Sequence, residues 1–433
     1  MRRAKAFFKG VLIFVLAVLF VFGGLLLLTK LPGDDVQSAP QIVTSAPTDA
    51  PTAEPTQVPT AEPTAVPTPS PTPTIAPTAT PEPTPRAAVI RAGGDVMITE
   101  GQLGYALKAG DGKSEYDFAP QFALIAEELG DADYTIVNLE ATIGMYKDQP
   151  YSGYPRFNAP EVVLDVLKDA GVDFLTLANN HMLDRWFDGM KNTVAHVEAA
   201  GFDHSGAYVS QQARDAATVV EVQGIKIGFL SYTEGTNGME AYADEAAREY
   251  GVPYLAEADF KADVKKLREA GAQIVIIMPH WGAEYVREPG YGQVMYAKKM
   301  AQAGADVILG SHPHVIQKIE WLTVQNEDGS EHRTLCAYSL GNFISTQDHH
   351  GYTDTGMLLQ FEINEQADGS LRVENVGYVP TYCWKHDGTM QVVPALKYQT
   401  ERAEGMGKSA HSRLKTTIKE TRAVIPDEFP EIG

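Results

Sequence analysis

Three histidine segments and two acidic residues are the parts of this chain whose types and spacing can do chemistry. The histidine segments are Asn179-Asn180-His181, His280-Trp281-Gly282 and His312-Pro313-His314, and the acidic residues are Asp95 and Glu140. Imidazole nitrogens together with carboxylate and amide oxygens form a donor set that suits a borderline divalent metal ion. One isolated histidine would carry no such implication, but these positions together predict a metal or catalytic centre.

Each of these positions follows a short apolar run of the kind that forms a buried strand. The runs are Ala87–Ala92, Tyr134–Val137, Phe174–Ala178, Ile274–Met278 and Val307–Leu309. Open α/β sheets bind ligands just beyond the carboxyl ends of their strands. The sequence therefore predicts that these strands deliver the polar side chains to one rim of a sheet.

A repeated phrase leads into three of these strands. Gly171, Gly271 and Gly304 each end an amphipathic stretch and are followed, after a short link, by an apolar run. Glycine at a helix C-terminus and then a strand is typical of β-α units with a largely parallel sheet. Beyond Gly356 the runs alternate in hydrophobicity instead, which predicts antiparallel strands. We therefore expect the α/β fold class.

The N-terminal part has a different texture from the rest of the chain. Residues 10–30 are almost wholly apolar and follow a basic flank at 1–9, which predicts an uncleaved transmembrane anchor rather than a cleaved signal, with a cytoplasmic N-terminus. Residues 31–86 contain 15 of the 27 prolines, so they predict a disordered Pro/Thr-rich linker that cannot bury a core. We expect a folded domain at 87–395 outside the cell and a polar C-terminal tail at 396–433.

Charge and cysteine content narrow the class of protein. The formal net charge is −21, which argues against a nucleic-acid partner because nucleic-acid binding needs a basic surface. The two cysteines, Cys336 and Cys383, form no CxxC motif, so a structural zinc site is not expected. A disulfide between them is compatible with an exported domain but is not required.

Six motifs, in this order along the chain, resemble the CapA family of poly-γ-glutamate capsule biosynthesis proteins, within the calcineurin-like metallophosphoesterase superfamily. The motifs are Gly94–Met97, Asn138–Glu140, Asn179–His181, His280–Tyr285, Gly310–His314 and Ser339–Phe343. The resemblance covers about residues 87–393. It implies a four-layer α/β/β/α sandwich that holds divalent metal ions between two sheets, and a membrane-anchored domain outside the cell.

The resemblance also implies roles for the polar residues. Glu140 would bridge two metals. Asn180, His280 and His312 would complete one metal position, while Asp95 and His314 would belong to the other. His181 would stand near the leaving group as a catalytic acid or as a stabiliser of developing charge, and a water activated by the metals would attack.

This sequence departs from the ordinary superfamily pattern in two places. The Asp-x-His of the first strand is Asp95-Val96-Met97 here, and the usual Asp of the second strand is Glu140. Thioether sulfur is a poor replacement for imidazole with hard divalent ions. We therefore expect one firm site and one weak or altered site for Mn, Fe or Zn. Glu284 is a candidate catalytic residue, and Glu284 or the pair His349-His350 are candidates for the missing ligand.

Three further residues are candidates for substrate binding. Arg156 and Asn158 lie in a proline-rich segment after the Glu140 strand, where Arg156 suits a phosphate or carboxylate as well as it suits a surface ion pair. His204 follows a helix–glycine phrase and is a candidate for lining the site.

The leading functional interpretation is a metal-dependent hydrolase, of phosphoesterase type, in capsule or poly-γ-glutamate biosynthesis or export. Its expected partners are the cell membrane, an anionic polymer or phosphoester substrate, and capsule synthesis membrane proteins. Two alternatives stay open: a non-catalytic metal-containing subunit of a polymer synthesis or export complex, and an extracellular phosphatase or nucleotidase. Fold alone does not decide between them.

Overall fold

We analysed a computed structural model of the chain, which describes residues 85–144, 149–245, 247–326, 328–347 and 350–433. The predicted anchor at 10–30 and almost all of the predicted linker at 31–86 lie outside the described residues. Within the described ranges, no helix has the length and the apolar character needed to cross a bilayer.

The strands are numbered in chain order. They are β1 Ala87–Val96, β2 Tyr134–Leu139, β3 Phe174–Thr176, β4 Asp203–Ser205, β5 Val219–Val222, β6 Ile225–Thr233, β7 Ile274–His280, β8 Val307–Leu309, β9 Ile319–Gln325, β10 Glu331–Ala337, β11 Asn342–Ile344, β12 Thr355–Glu365, β13 Leu371–His386 and β14 Thr389–Pro394.

The α-helices are numbered in the same way, and short non-α turns lie at Met239–Tyr242, Ala247–Gly251 and Leu255–Glu257. The helices are α1 Glu100–Ala109, α2 Ala119–Phe122, α3 Ala126–Gly130, α4 Val162–Asp169, α5 Trp186–Ala199, α6 Gln211–Asp215, α7 Phe260–Glu269, α8 Tyr291–Gln302 and α9 Lys408–Arg422.

The strands form two sheets. The larger has the order β14-β13-β12-β1-β2-β3-β4, with β11 pairing beside β1, and the smaller has the order β5-β6-β7-β8-β10-β9. Strands β1 to β4 run parallel, and so do β6, β7, β8 and β10. The antiparallel strands β12, β13 and β14 extend the larger sheet, as the alternating pattern after Gly356 predicts.

The hydrophobic cores show how the layers stack. One core joins the facing sides of the two sheets, with Ile90 and Phe174 from the larger sheet and Phe229 and Ile276 from the smaller. A second core lies between the larger sheet and helices α1 to α5, and a third lies between the smaller sheet and helices α7 and α8. The predicted α/β class is confirmed, and its layers follow the order helix, sheet, sheet, helix.

The glycine-terminated helices behave as the sequence predicts. Gly171, Gly271 and Gly304 adopt φ values of +100°, +96° and +96°, a left-handed conformation that glycine adopts without a steric penalty. In α4 the residues Val163 and Leu167 are buried, so the apolar face packs on the sheet. Each glycine thus ends a helix and turns the chain into the next buried strand.

Residues after 395 are packed into the fold, so the predicted boundary between a domain and a polar tail does not appear in the packing. Leu414 and Ile418 of helix α9 are buried in a fourth core with Trp384 and Val393. Apolar residues at helical spacing pack this helix against β13 and β12, even though most of its residues are polar. Cys336 and Cys383 are both buried and both unpaired.

Candidate metal centre

The C-terminal ends of β1 and β7 and the segments that follow β2, β3 and β8 meet at one end of the two sheets. They bring together the polar side chains named from the sequence as metal ligands, which are Asp95, Glu140, Asn180, His280, His312 and His314. The close approach of β1 to the segment before β11 needs glycine at position 94, because a Cβ there would lie 1.8 Å from the Gly341 carbonyl oxygen. The parallel topology therefore produces the cluster, as predicted.

Glu140 lies at the centre of the cluster. Its carboxylate is fully buried, and neither oxygen has a hydrogen-bond partner among the described residues. Its Oε1 lies 3.8 Å from His280 Nε2, 3.8 Å from His314 Nε2 and 4.0 Å from His181 Nε2. A buried carboxylate without partners is costly, so this arrangement calls for a cation between the groups.

His280 is oriented by neighbours on both ring nitrogens. Its Nδ1 is 2.9 Å from Ser311 Oγ, and its Nε2 is 3.0 Å from Asn180 Oδ1. Histidines that ligate metals usually use one ring nitrogen for a hydrogen bond that fixes the ring. Ser311 can serve in that way, which leaves Nε2 for the side that faces Glu140.

His314 is held by Asp95 and Asn342. Its Nδ1 lies 3.1 Å from Asp95 Oδ2 and 3.0 Å from Asn342 Oδ1. The other Asp95 oxygen accepts a hydrogen bond of 2.8 Å from Asn138 Nδ2, and the His312 backbone N–H lies 3.3 Å from Oδ2. The Asp95 carboxylate is thus satisfied by protein groups, in contrast to Glu140.

Burial and mutual charge shift the pKa values in the cluster in opposite directions. Burial raises the pKa of Glu140 well above its usual range. Burial, helped by the other histidines, lowers the pKa of His280 well below its usual value and that of His312 to about 4. For His314 burial also opposes protonation, but the charges of Glu140 and Asp95 outweigh it and raise its pKa to about 9. Neutral His280 and His312 are in the protonation state that a metal ligand needs.

The spacing of the cluster suits divalent ions. Three groups have ligand atoms within 4.8 Å of one another: Glu140–His280–His312, Asp95–Glu140–His314, and Glu284–His312–His314. Metal–ligand bonds are about 2.1 Å long, so donors around one ion lie roughly 3 to 4 Å apart. The Glu140 oxygens and the buried Nδ1 of His312, which have no hydrogen-bond partner among the described residues, fit the same interpretation.

The His–Pro–His loop has an unusual backbone. His312 and His314 adopt φ values of +96° and +56°, which residues other than glycine rarely adopt. Such strain is concentrated at functional sites, where surrounding structure holds it in place. Here the His280–Ser311 bridge and the hydrogen bond from Trp281 N to Ser311 O hold the start of the loop.

His181 forms a pair with Asp184, which the sequence reasoning missed. His181 Nδ1 lies 2.7 Å from Asp184 Oδ2, and the same oxygen accepts a 2.7 Å hydrogen bond from the Phe157 backbone N–H. Asp184 is buried, and the Phe157 ring packs edge-on against the imidazole with centroids 4.5 Å apart. His181 therefore points Nε2 toward Glu140. The three-residue spacing within a turn was the available signal for this pair.

Two asparagines contact the candidate ligands, although the sequence predicts no role for them. Both lie in the family motifs named above. Asn138 lies between Asp95 and His280, and Asn342 contacts His314 while donating to the Thr353 carbonyl oxygen. Both are amides on or beside strands of the larger sheet. Only the pairing of β1 with β2 and β11 reveals their proximity to the ligands.

A cavity of about 330 Å³ opens onto the cluster. Its wall includes Met97, Phe157, His181, Glu284 and His314. Glu284 is exposed at this wall, so the structure brings it to the cluster as the sequence predicts, while its role as a catalytic residue stays a prediction. His349 lies outside the described residues.

Arg156 lies on a braced loop near His181. Its guanidinium carbon is 5.0 Å from the centroid of the Trp186 ring, and Nη2 lies 3.5 Å from Met239 Sδ. The Arg156 carbonyl oxygen accepts hydrogen bonds from Ser152 Oγ and Arg185 Nη2 at 2.7 and 3.0 Å. Among the described residues, no carboxylate forms an ion pair with this guanidinium, whose contacts are with Trp186 and Met239.

Asn158 and His204 do not reach the cluster through any described contact. The Asn158 side chain is buried and donates to the carbonyl oxygens of Pro150 and Gln149 at 3.0 and 3.3 Å, so it braces the Arg156 loop. His204 Nε2 lies 3.5 Å from Glu198 Oε1 on helix α5.

Strand register explains the placement of His204. It is in register with Leu175, which belongs to the core on the helix side, whereas the next residue Ser205 is in register with Thr176. Thr176 donates a hydrogen bond to Asn138, so it lies on the side of the cluster. Alternate strand residues face opposite sides, and the predicted substrate-facing position is therefore off by one residue.

Comparison with known proteins places the chain in a family. A family model described as bacterial capsule synthesis protein PGA_cap matches residues 89–347. The PGA biosynthesis protein CapA of Bacillus subtilis is 33% identical over 250 residues, which cover 56% of this chain and 60% of CapA. The capsule biosynthesis protein CapA of Bacillus anthracis is 28% identical over 261 residues, covering 58% and 60%. The match thus spans about three fifths of the length of these relatives.

Solved structures give lower similarity. The calcineurin-like phosphoesterase YfkN from Bacillus subtilis aligns with a TM-score of 0.41 and 14% identity, covering 78% of this chain and 98% of that chain. The NAD nucleotidase NadN of Haemophilus influenzae aligns with a TM-score of 0.40 and 12% identity, covering 79% and 64%. Both TM-scores are below 0.5, so neither likeness carries an argument about activity. The family match covers more than half of the sequence, and the chain belongs to the PGA_cap family of bacterial capsule synthesis proteins.

Proposed function

We propose that this protein is a metal-dependent hydrolase that acts in the biosynthesis or export of a capsule polymer, with poly-γ-glutamate or a phosphoester as the substrate. The observation that carries the proposal is Glu140. Its buried carboxylate lacks partners among the described residues and has histidine Nε2 atoms at 3.8 and 4.0 Å, which suits a bound cation.

The residues of the chain divide into those that would hold a divalent ion and those that would act on the substrate. Glu140, His280, His312 and Asn180 would hold one ion, with Asp95 and His314 on the other side of Glu140. A bound ion of this kind supplies Lewis acidity and lowers the pKa of a coordinated water. Mn, Fe and Zn all suit this mixed N and O donor set.

His181 would handle the proton of the leaving group. Its Nδ1 is engaged by Asp184, so Nε2 is the nitrogen free to exchange a proton at the cavity wall. Asp184 would stabilise the imidazolium and keep the ring in one orientation, since its own position is set by the Phe157 N–H. A positioned general acid or base contributes about 10² to 10⁴ in rate.

Arg156 would bind an anionic group of the substrate beside the leaving group. The support is its lack of a carboxylate partner in the described part of the chain and its attachment, through Phe157, to the shell around His181. Guanidinium groups bind carboxylate and phosphate with two hydrogen bonds, so either polymer or phosphoester fits.

The same proposal includes an anchored location. The apolar run at 10–30 with its basic flank at 1–9 supports a membrane anchor with the metal centre outside the cell, and capsule synthesis membrane proteins as partners. Protease added to intact cells tests this location. The protease should remove the domain from intact cells. A domain that is cleaved only after the cells have been broken would contradict the proposal.

A non-catalytic subunit is the second candidate, and Met97 favours it. This buried side chain occupies the position where the superfamily pattern has a ligating histidine, so the centre has lost one strong ligand. In this case the ion would stabilise the fold or bind polymer carboxylates while other proteins perform the synthesis.

The test combines metal content with turnover on the purified full chain. Mass spectrometry measures bound Mn, Fe and Zn, and the same preparation is assayed on a generic phosphodiester and on poly-γ-glutamate. For an enzyme, His181→Ala should keep its metal and lose about 10²-fold or more in turnover. The control is His386→Ala on β13, where the histidine stacks on Trp384 away from the cluster. Bound metal without turnover of either substrate would favour the non-catalytic subunit.

A further inference from the structure

We propose that Glu284 supplies a ligand to a second divalent cation, held by Glu284, His312 and His314 at the mouth of the cavity. This inference rests on the cation binding in the proposed function, but it does not depend on hydrolysis. It moves the second ion outward from the position beside Asp95 and Met97 that the superfamily pattern implies, and it assigns His312 to this outer ion, which leaves Glu140, His280 and Asn180 for the first.

The first argument concerns the inner position. Met97 is buried in the cavity wall and offers only a thioether sulfur there. Asp95 already has protein partners on both oxygens, with Asn138 Nδ2 at 2.8 Å and His314 Nδ1 at 3.1 Å. An ion at this position would have to compete with hydrogen bonds that are already made, whereas Glu140 has none to give up among the described residues.

The second argument concerns the outer position. A carboxylate oxygen of Glu284 and ring nitrogens of His312 and His314 lie within 4.8 Å of one another. His312 Nδ1 is buried and has no hydrogen-bond partner in the described part of the chain. Two imidazoles and one carboxylate are a common ligand set for a divalent ion with open positions.

The third argument concerns rigidity, since a ligand must be held in place. The turn that carries Glu284 is fastened to the His–Pro–His loop by hydrogen bonds from Trp281 N to Ser311 O at 3.1 Å and from Tyr285 N to Pro313 O at 2.8 Å. On its other side, Gly282 N donates to Glu234 Oε2 at 3.0 Å. The backbone on both sides of Glu284 is therefore tied down, although its carboxylate faces the open cavity.

His350 is the other nearby candidate, and its contacts argue against it. Its imidazole stacks on the Tyr285 ring with centroids 3.8 Å apart and an interplanar angle of 12°. A ring in that contact covers the turn that holds Glu284. His350 also belongs to none of the three groups whose ligand atoms converge among the described residues.

The experiment is a manganese titration of the metal-stripped full chain, followed by equilibrium binding and by electron paramagnetic resonance. The wild type should bind two ions of unequal affinity, and the pair should show spin coupling. Glu284→Gln should retain the tighter ion, bind the weaker one at least about 10-fold less tightly, and show a single-ion spectrum. Glu288→Gln, an exposed glutamate shortly after the same turn, is the matched control and should match the wild type. Thermal unfolding of each metal-free variant checks that the fold is kept.

Several outcomes separate this inference from the proposed function. Two ions bound with unchanged affinity by Glu284→Gln would overturn the inference, and so would a wild type that binds one ion whose affinity does not depend on Glu284. No ion bound to any form would overturn both the inference and the metal-dependent function. Two ions bound as expected, without turnover of any substrate, would support the inference and overturn the hydrolase alone.

Discussion

Two neighbouring cavities of this molecule differ in whether their charged side chains have hydrogen-bond partners. The larger, of about 580 Å³, contains Arg413, whose Nε and Nη1 donate to Asp354 Oδ2 and Glu420 Oε2 at 2.8 Å each. The smaller, of about 330 Å³, opens onto Glu140, whose oxygens have no hydrogen-bond partner among the described residues. The two cavities share Gln347 and His350 in their walls.

The difference separates charges that are balanced within the fold from a charge that is a candidate for binding a cation. In the larger cavity every charge named above has an opposite charge at hydrogen-bond distance, so nothing further is needed to balance it. In the smaller cavity burial raises the pKa of Glu140 well above its usual range, and the charge of His314 offsets only part of that shift. The candidate site is therefore chosen by the unsatisfied buried carboxylate of Glu140 and not by cavity size.

The largest expected effect comes from Glu140→Gln, which removes the buried carboxylate that distinguishes the smaller cavity from the larger one. We expect loss of the ion that Glu140 would hold and a fall in metal-dependent turnover of roughly 10³-fold or more, since a bound ion contributes several kcal/mol to the transition state. Metal content and turnover of the full chain, measured beside Glu288→Gln, check this. Normal metal content in Glu140→Gln would contradict the assignment.

The same variant should be more stable than the wild type once metal is removed. Its neutral amide avoids the ionisation of a carboxylate whose pKa is raised by burial, so its advantage should grow as pH rises above the ordinary carboxyl range. We expect about 1–3 kcal/mol at pH 8 from denaturant unfolding in the presence of chelator. A destabilised metal-free Glu140→Gln would mean that the carboxylate has a structural partner.

Arg413→Met should have the opposite signature in the neighbouring cavity. Removing the cation leaves Asp354 and Glu420 without it, so we expect a loss of about 1–3 kcal/mol in the free energy of unfolding, reduced from fully buried cases because the side chains are partly exposed. Metal affinity should not change. Lys415→Met, on the exposed face of the same helix, is the control. If Arg413→Met unfolds like the wild type but loses metal, the two cavities would have to be regarded as one site.

Asp184→Asn tests how far turnover depends on a residue that contacts His181 instead of the metal ion. The amide cannot stabilise an imidazolium at His181 as a carboxylate does, so we expect turnover to fall about 10- to 100-fold with metal content unchanged. The kinetic split is informative, because the loss should appear in kcat and only weakly in KM. If Asp184→Asn and the wild type have equal kcat, we would conclude that His181 takes no part in the chemical step.

The sequence predicts the framework of the site well and its finer contacts poorly. The runs before Asp95, Glu140 and His280 are strands because continuous apolar stretches bounded by turns need burial on both faces, and parallel pairing then aligns their ends. The Asp184 contact depends on how the turn after His181 closes, and His204 depends on the register of a three-residue edge strand. The docking of α9 depends on apolar residues spaced within a polar stretch. Local sequence patterns do not determine how a turn closes, which register a short edge strand takes, or where a helix packs.

Arg156→Gln gives the smallest expected effect and tests whether this cation, which is next in sequence to the cavity residue Phe157, serves the substrate. If the guanidinium binds an anionic group away from the reacting bond, its loss should raise KM about 3- to 30-fold and leave kcat nearly unchanged. Arg156→Lys should recover only part of that loss, because an ammonium cannot make the two parallel hydrogen bonds of a guanidinium.

Lys191→Gln is the matched control for this variant, since Lys191 is a cation on the same helix as Trp186 but is paired with Asp188. A KM that is equally unaffected in Arg156→Gln and Lys191→Gln would show that Arg156 is a packing residue on Trp186. The substrate anion would then have to be recognised by the metal centre alone, and the distinction between polymer and phosphoester would lie in the shape of the cavity rather than in this loop.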